Sequence, residues 1–564
     1  MRCFAHYDLK YDLKMERKII MTKLSLEQVS SLDKVFLKPH SPLTPVTEAT
    51  VMKGDRYSYQ IAYTVTDTIG PTDATFEVSS DISGYINVYK VENLPSCYPV
   101  FPSADSHGYI TKEPGLFPDL LDTPKDNYIK IIDGFKRSLW ITVDVPENAE
   151  SGEHNITVTV KCDGNEKSVT LRLEILDCIL PKYPFKYTQW FHADCIADYY
   201  GFEVFSEKFW SMTEKFIKTA AYTGINMILT PIFTPPLDTA VGGERTTVQL
   251  IDVKKDGEKY EFGFDKLERW INICKKCGIQ YFEMAHLFTQ WGAEHAPKIV
   301  ADVNGEKVKI FGWETNLADG EYRRFLEQLI PQLSKVLKDL GVDKNTYFHI
   351  SDEPGEQHLE SYKAAREMVA DLLGDFPVLD ALSHYDFYEQ GLAEVPVPAI
   401  NRIEPFFEKR PSEMWTYYCC GQTNKVTNRF FSMPSSRNRI AGVQFYKYEI
   451  DGFLHWGYNF YNNQFSHGKI NPFMVTDACM AFPSGDAYSV YPGEDGPLLS
   501  LRAEVFADGL RDMRALKFLE SLTDRQTVLD LIGDVTLTEY PLDAEYLVNL
   551  RESVNRKIVE KLSL

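Results

Sequence analysis

Between Phe185 and Phe460 the chain carries eight short apolar runs separated by amphipathic stretches, and this alternation constrains the fold more than any other feature. The runs are Phe185 to Asp194, Ile225 to Phe233, Ile279 to Phe288, Thr346 to Asp352, Val378 to Tyr385, Ala399 to Glu404, Met414 to Cys420 and Gly452 to Phe460. Several gaps hold an amphipathic helix with a glycine stop: Ser206 to Tyr222 before Gly224, Leu267 to Cys277 before Gly278, Tyr322 to Leu340 before Gly341, and Leu359 to Leu373 before Gly374. A helical Arg437 to Tyr448 precedes the last run. Strands that alternate with helices build parallel sheets covered on both faces, so the pattern predicts a (β/α)8 TIM-type barrel over residues 183–482. Such barrels carry their chemistry at the C-terminal ends of the strands.

The flanking regions have a different texture. Ile156, Val158, Val160 and Cys162 alternate with polar residues, Asp163-Gly164 supplies a turn, and Val169, Leu171, Leu173 and Ile175 alternate again. That is a hairpin with one buried face. Similar runs at Tyr57 to Thr66, Thr75 to Val88 and Leu139 to Val145 extend it to an N-terminal antiparallel β-sandwich over residues 1–182. Residues 483–564 are expected to form a mostly helical extension, with a strand at Ala487 to Tyr491 and helices at Ser500 to Leu522 and Asp543 to Leu562. The first 20 residues repeat Tyr-Asp-Leu-Lys without apolar periodicity and are expected to be disordered or to precede a start at Met21.

Composition narrows the partners. The 81 Asp and Glu against 60 Lys and Arg give a net charge of -21, which repels phosphate backbones and argues against nucleic acid. No apolar run reaches the roughly 18 residues of a membrane span, and Met1 to Met21 lacks the apolar core of a signal peptide, so a cytoplasmic location is expected. The ten cysteines are scattered and form no disulfide framework. Cys274-Lys-Lys-Cys277 has a metal-like spacing but no second pair. It reads better as one face of a helix opened by Asp265 and Glu268 and striped by Leu267, Trp270, Ile271 and Cys274. Cys419-Cys420 is read as packing, and neither a metal nor another cofactor is expected.

The chemistry gathers at the end of the fourth run, where Ser351-Asp352-Glu353-Pro354 sets two carboxylates side by side. Adjacent acids raise one another's protonation, so one can act as a general acid near neutrality, as glycosidic cleavage requires. A protein nucleophile would need a second carboxylate across the sugar. The seventh run ends Trp415-Thr-Tyr-Tyr-Cys-Cys-Gly-Gln-Thr423 with none, and Glu404, beside Pro405, is the remaining rival. Neighbouring carboxylates suit substrate-assisted hydrolysis, in which a 2-acetamido oxygen is the nucleophile. Glu353 would then protonate the leaving oxygen, and Asp352 would hold the acetamide N–H and stabilise the oxazolinium. Sugar-binding candidates at the strand ends are His192, Asp194, His286, Tyr385, Trp415, Tyr417, Trp456, Tyr458 and Asn459, with Trp456, Tyr417 and Tyr385 preferred, although strand alternation turns about half away.

Ser351-Asp352-Glu353-Pro354, Trp415-Thr-Tyr-Tyr-Cys-Cys-Gly421, Asp451-Gly-Phe-Leu-His-Trp-Gly-Tyr-Asn459, and Ser500-Leu-Arg502 leading to Asp508-Gly-Leu-Arg-Asp512 together resemble glycoside hydrolase family 123 and the related domain-of-unknown-function 4091 proteins. The resemblance covers nearly the whole chain. It implies an exo-acting β-N-acetylgalactosaminidase acting on glycans such as glycosphingolipid sugars, with the family's Asp-Glu pair at Asp352 and Glu353. A β-N-acetylglucosaminidase of the same mechanism, or a carbohydrate-binding protein without turnover, are the alternatives.

Overall fold

The computed structural model describes residues 22–68 and 70–564, so the expectations for the first 20 residues and for Met21 lie outside it. The N-terminal part is two five-stranded sheets. One runs in the order Lys23–Ser30, Arg56–Thr66, Arg137–Asp144, Ile86–Ser96, Gly115–Asp122, and the other Glu48–Lys53, Asn165–Ile179, Gly152–Cys162, Thr72–Ser79, Tyr128–Ile131. The hairpin read from the sequence is present. Asp163 and Gly164 turn at φ 48° and 72°, and the register sets Leu171 against Ile156 and Val169 against Val158. Ile61, Ile141, Val158 and Leu173 from the two sheets share one apolar core. The pairing is not wholly antiparallel as expected. Glu48–Lys53 runs parallel to Asn165–Ile179, because the chain crosses from one sheet to the other through residues 31–47 and not by a hairpin.

Seven of the eight apolar runs give a parallel strand, each shorter than its run: Lys186–Gln189, Met227–Thr230, Tyr281–Met284, Thr346–Phe348, Leu379–Ala381, Trp415–Tyr417 and Gly452–His455. The expected strand at Ala399 to Glu404 is instead a 3-10 turn, Ile400–Arg402, and a short helix, Glu404–Glu408, while the sixth strand is Val395–Val397. Pro396 and Pro398 mask it, since a proline gives no ladder N–H and reads as a breaker. The fourth, third, second, first, eighth and seventh strands form one six-stranded parallel sheet in that order, and the fifth and sixth pair with each other. Single parallel bridges, Phe348 to Val378 and Ala399 to Tyr417, link this pair to the two edges of the larger sheet.

Inward residues Met227, Leu229, Leu379, Val397, Trp415 and Leu454 make one cluster, and Ile228, Phe282, Phe348 and Phe453 pack outward toward the helices. At Gly452 any Cβ would lie 2.2 Å from the Trp415 ring, so the eighth strand depends on glycine there.

The helices Glu207–Tyr222, Asp265–Cys277, Glu321–Asp339 and Leu359–Leu373 fall where periodicity placed them. The Cys274 helix buries Leu267, Trp270, Ile271 and Cys274 and stops at Gly278 with φ 99°. Its start differs from expectation, because Phe264 is the N-cap and no side chain caps it; Asp265 and Glu268 lie in the first turn, where acids favour the helix dipole. Two hairpins that the sequence did not foretell follow the second and third strands, Asp252–Asp256 with Lys259–Gly263 and Ile299–Val303 with Glu306–Phe311, and they join as one four-stranded sheet.

The C-terminal part is mostly helical. Leu501–Leu522 is capped by Ser500, Ala544–Leu562 by Asp543, and Arg525–Ile532 lies between them. The expected strand at Ala487 to Tyr491 starts only at Tyr491, where Tyr491–Gly493 pairs with Gly496–Leu498. Arg502 meets Asp119 at 2.9 Å and ties the long helix to the N-terminal sheets. Among the described residues, no helix is long and apolar enough to cross a membrane.

Candidate active site

The fourth strand ends at Phe348, and the next residues leave the ladder, so their backbone groups need other partners. The Asp380 carboxylate supplies them. It accepts from the N–H groups of Ile350 at 3.0 Å and Ser351 at 3.3 Å, and from the Tyr362 hydroxyl at 2.6 Å. The Ser351 hydroxyl donates to Thr289 O at 2.8 Å, and Trp291 N–H donates to Asp352 O at 2.9 Å. These bonds fix the backbone that presents Asp352 and Glu353.

Both carboxylates line a cavity of about 210 Å³ with Trp190, Asp238, Trp291, Tyr417 and Trp456. Glu353 faces the open side of the cavity, so it has accessible surface although it lies deep in the protein. Its backbone is left-handed at φ 44°, and the lining residues Asp238, Trp291 and Phe465 share that region at 39°, 57° and 58°. Each such residue costs on the order of 1–3 kcal/mol and persists only where its surroundings dictate it, which is common at functional sites.

The Tyr417 hydroxyl donates to Glu353 Oε1 at 2.5 Å. Burial raises the Glu353 carboxyl above its usual range; the Tyr417 bond opposes this and the nearby Asp486 charge adds to it. Asp352 is raised further, first by burial and then by the Glu353 charge. The two carboxyls therefore titrate as one pair held above the usual range, and a group that donates to Asp352 favours its ionised form and keeps the proton on Glu353. Asp486 accepts from Trp456 Nε1 at 2.8 Å and is pushed by burial up to about 6.

Behind the pair runs a buried charged chain. His349 donates from Nε2 to Glu283 at 3.0 Å and from Nδ1 to Asp380 at 3.1 Å, and all three side chains are fully buried. Burial pulls His349 down, but the two carboxylate bonds outweigh it and lift the ring to about 9, so it is an imidazolium at neutral pH. His286 stacks on it at 4.3 Å and has no hydrogen-bond partner among the described residues. His286, His349 and Asp380 are the metal-compatible group among the described residues. The donor set fits a metal poorly, since both His349 nitrogens already serve carboxylates and the ring holds its second proton.

The structure brings Asp352, Glu353, Tyr417 and Trp456 to one cavity and leaves the other expected residues elsewhere. Asp194 is closed off by a buried bidentate pair with Arg245 at 2.7 and 2.8 Å. His192 is buried between Arg245 and Trp456 O, and Asn459 is spent on the His192 backbone. His286 sits behind the pair. The Tyr458 hydroxyl donates to Phe216 O on a helix, and Trp415 lies below the cavity with Nε1 donating to Glu413. Tyr385 starts a short helix and packs on Phe406, and Glu404 is exposed on another. Absent from the sequence reading are Asp238, Trp291, Asp486 and the Glu283–His349–Asp380 chain. A signal existed for part of it: Glu283 and Asp380 are charged residues within otherwise apolar strands, and a buried charge needs a partner.

The whole chain is similar to the structure of a family 123 glycoside hydrolase from Clostridium perfringens described for glycolipid glycan hydrolysis, with 16% identity, a TM-score of 0.72, and coverage of 96% of this chain and 98% of that one. Weaker likenesses are to a Bacteroides uniformis β-glucuronidase, 10% identical over 87% of this chain and 51% of that one at TM-score 0.30, and to an endo-β-1,4-mannanase from Thermotoga petrophila, 13% identical over 59% and 78% at TM-score 0.33. No curated protein sequence matches the chain. The model of the glycoside hydrolase 123 catalytic domain matches residues 190–519, more than half of the chain, and the protein therefore belongs to glycoside hydrolase family 123.

Proposed function

We propose that the protein is an exo-acting, retaining β-N-acetylgalactosaminidase that uses the acetamide of its substrate as nucleophile. The observation that carries this reading is the Asp352–Glu353 pair lining one cavity, with Tyr417 bonded to Glu353 and Trp190 and Trp456 beside them. A terminal sugar stacks its apolar face on the tryptophans. Its acetamide N–H donates to Asp352, which stabilises the Asp352 carboxylate and leaves the shared proton on Glu353. Glu353 then protonates the glycosidic oxygen while the acetamide oxygen attacks C1, giving an oxazolinium held by the Asp352 charge. Water, deprotonated by Glu353, opens that ring with net retention. The 210 Å³ cavity lies below the roughly 300–1,000 Å³ usual for larger ligands, which supports one terminal sugar and an exo action.

We read the eight parallel strands as a (β/α)8 barrel at residues 183–482, since the two single bridges join the sheets in ring order. A sandwich at 1–182 and a helical extension at 483–564 flank it. The test is a panel of aryl glycosides, β-GalNAc, β-GlcNAc, β-Gal and α-GalNAc, with wild type and Glu353→Gln. Turnover of β-GalNAc above the others, reduced about 10²- to 10⁴-fold in Glu353→Gln, is expected. Preference for β-GlcNAc would move the specificity, and sugar binding without any turnover would indicate a binding protein.

A further inference from the structure

Asp238 is a third carboxylate in the cavity, and the acetamide mechanism gives it no work. It sits in the loop after the second strand, far in sequence from Asp352. Phe465 N–H donates to its Oδ2 at 3.1 Å, and among the described residues no donor reaches Oδ1. The loop is clamped from two sides. The Ser466 hydroxyl donates to Asp238 O at 2.7 Å, Ala240 N–H donates to Phe465 O at 3.0 Å, and Gln290 Nε2 donates to Thr239 O at 2.9 Å. Loops that follow the second, third and eighth strands thus converge on this residue. Asp238, Phe465 and Ser466 all hold left-handed backbone at the contact, at φ 39°, 58° and 55°. Gln290, also in the lining, has a buried Oε1 without a donor among the described residues.

The donors a terminal sugar offers, apart from its acetamide N–H, are its ring hydroxyls. A carboxylate oxygen already oriented by a backbone N–H binds such a hydroxyl without further ordering, and an absent hydroxyl leaves it unpaired. Resting on the glycosidase reading above, we propose that Asp238 is the residue that recognises a hydroxyl of the terminal sugar, at C3, C4 or C6, and so sets which sugar the cavity accepts. Burial raises Asp238 to about 6, so the acceptor form prevails at neutral pH.

The test uses the full chain and aryl β-GalNAc together with its 3-, 4- and 6-deoxy analogues. Asp238→Ala and the near-isosteric Asp238→Asn are compared with wild type, after thermal melts establish that at least one variant is folded. On the parent glycoside Asp238→Ala is expected to lower kcat/KM about 10- to 100-fold. On the analogue that lacks the recognised hydroxyl the same substitution should cost less than about threefold, because the bond is already missing. An equal penalty on all three analogues overturns the proposal. So does complete loss in Asp238→Ala with azide restoring turnover as an α-glycosyl azide, which would make Asp238 a covalent nucleophile. Glu353→Gln is run alongside: if it stays active the glycosidase assignment itself fails, whereas an inactive Glu353→Gln with an unaffected Asp238→Ala overturns the Asp238 role alone.

Discussion

Replacing Tyr417 by Phe removes one hydroxyl and leaves the ring in place. The lost bond is the 2.5 Å donation to Glu353 Oε1. A hydrogen bond to a charged group contributes about 1.5–3 kcal/mol, and because Glu353 opens onto solvent the lower end applies. The bond favours ionised Glu353, so its removal raises that carboxyl. At 1.36 kcal/mol per tenfold change, the apparent upper ionisation of the Asp352–Glu353 pair should rise by about one pH unit. Glu353 must be protonated to act as acid, so activity is lost as pH rises through that ionisation. The basic limb of kcat/KM on an aryl β-GalNAc should therefore move upward in Tyr417→Phe. A basic limb that stays put, or moves downward, refutes the assigned roles.

Asp352→Asn removes the negative charge that stabilises the oxazolinium and should lower kcat on the same substrate by two orders of magnitude or more, read from initial rates. Asp194→Ala strips the partner from a buried Arg245 and should destabilise the fold by about 3–5 kcal/mol in urea titrations, while the KM of the folded fraction stays within a few-fold. Gly452→Ala puts a methyl group against the Trp415 ring and should cost about 1–3 kcal/mol, seen as a lower Tm with no change in pH profile. The His349 ring, lifted to about 9, should stay doubly protonated at pH 8 in nitrogen NMR spectra and lose its proton only above that. Because this folded value exceeds the unfolded one, its contribution to stability is complete below about pH 6.5 and lost as pH rises through 9.

The carboxylate pair was legible because Asp352 and Glu353 are adjacent at the end of an apolar run, and the helices were legible because each has a glycine at or just past its end. The aromatic residues were harder. Trp415 and Tyr417 share a face of one strand, yet only Tyr417 reaches the cavity, because Trp415 is two residues nearer the strand's start and fills the core over Gly452. Trp456 and Tyr458 also share parity, but the strand stops at His455 and alternation stops with it, which frees Tyr458 to turn toward Phe216. Tyr385 fails for the same reason, since its strand ends at Ala381. Asp238 lies in a loop whose conformation is set by Phe465 and Ser466, more than two hundred residues away, and no local pattern encodes that contact. The sixth strand was hidden by its own prolines.

Substrate assistance separates this account from every scheme with a protein nucleophile, and inhibition by the thiazoline analogue of N-acetylgalactosamine measures it directly. The cavity should bind this mimic of the oxazolinium at least about 10²-fold more tightly than N-acetylgalactosamine itself, with Asp352→Asn abolishing the difference. Equal affinity for the thiazoline and the free sugar would contradict the mechanism.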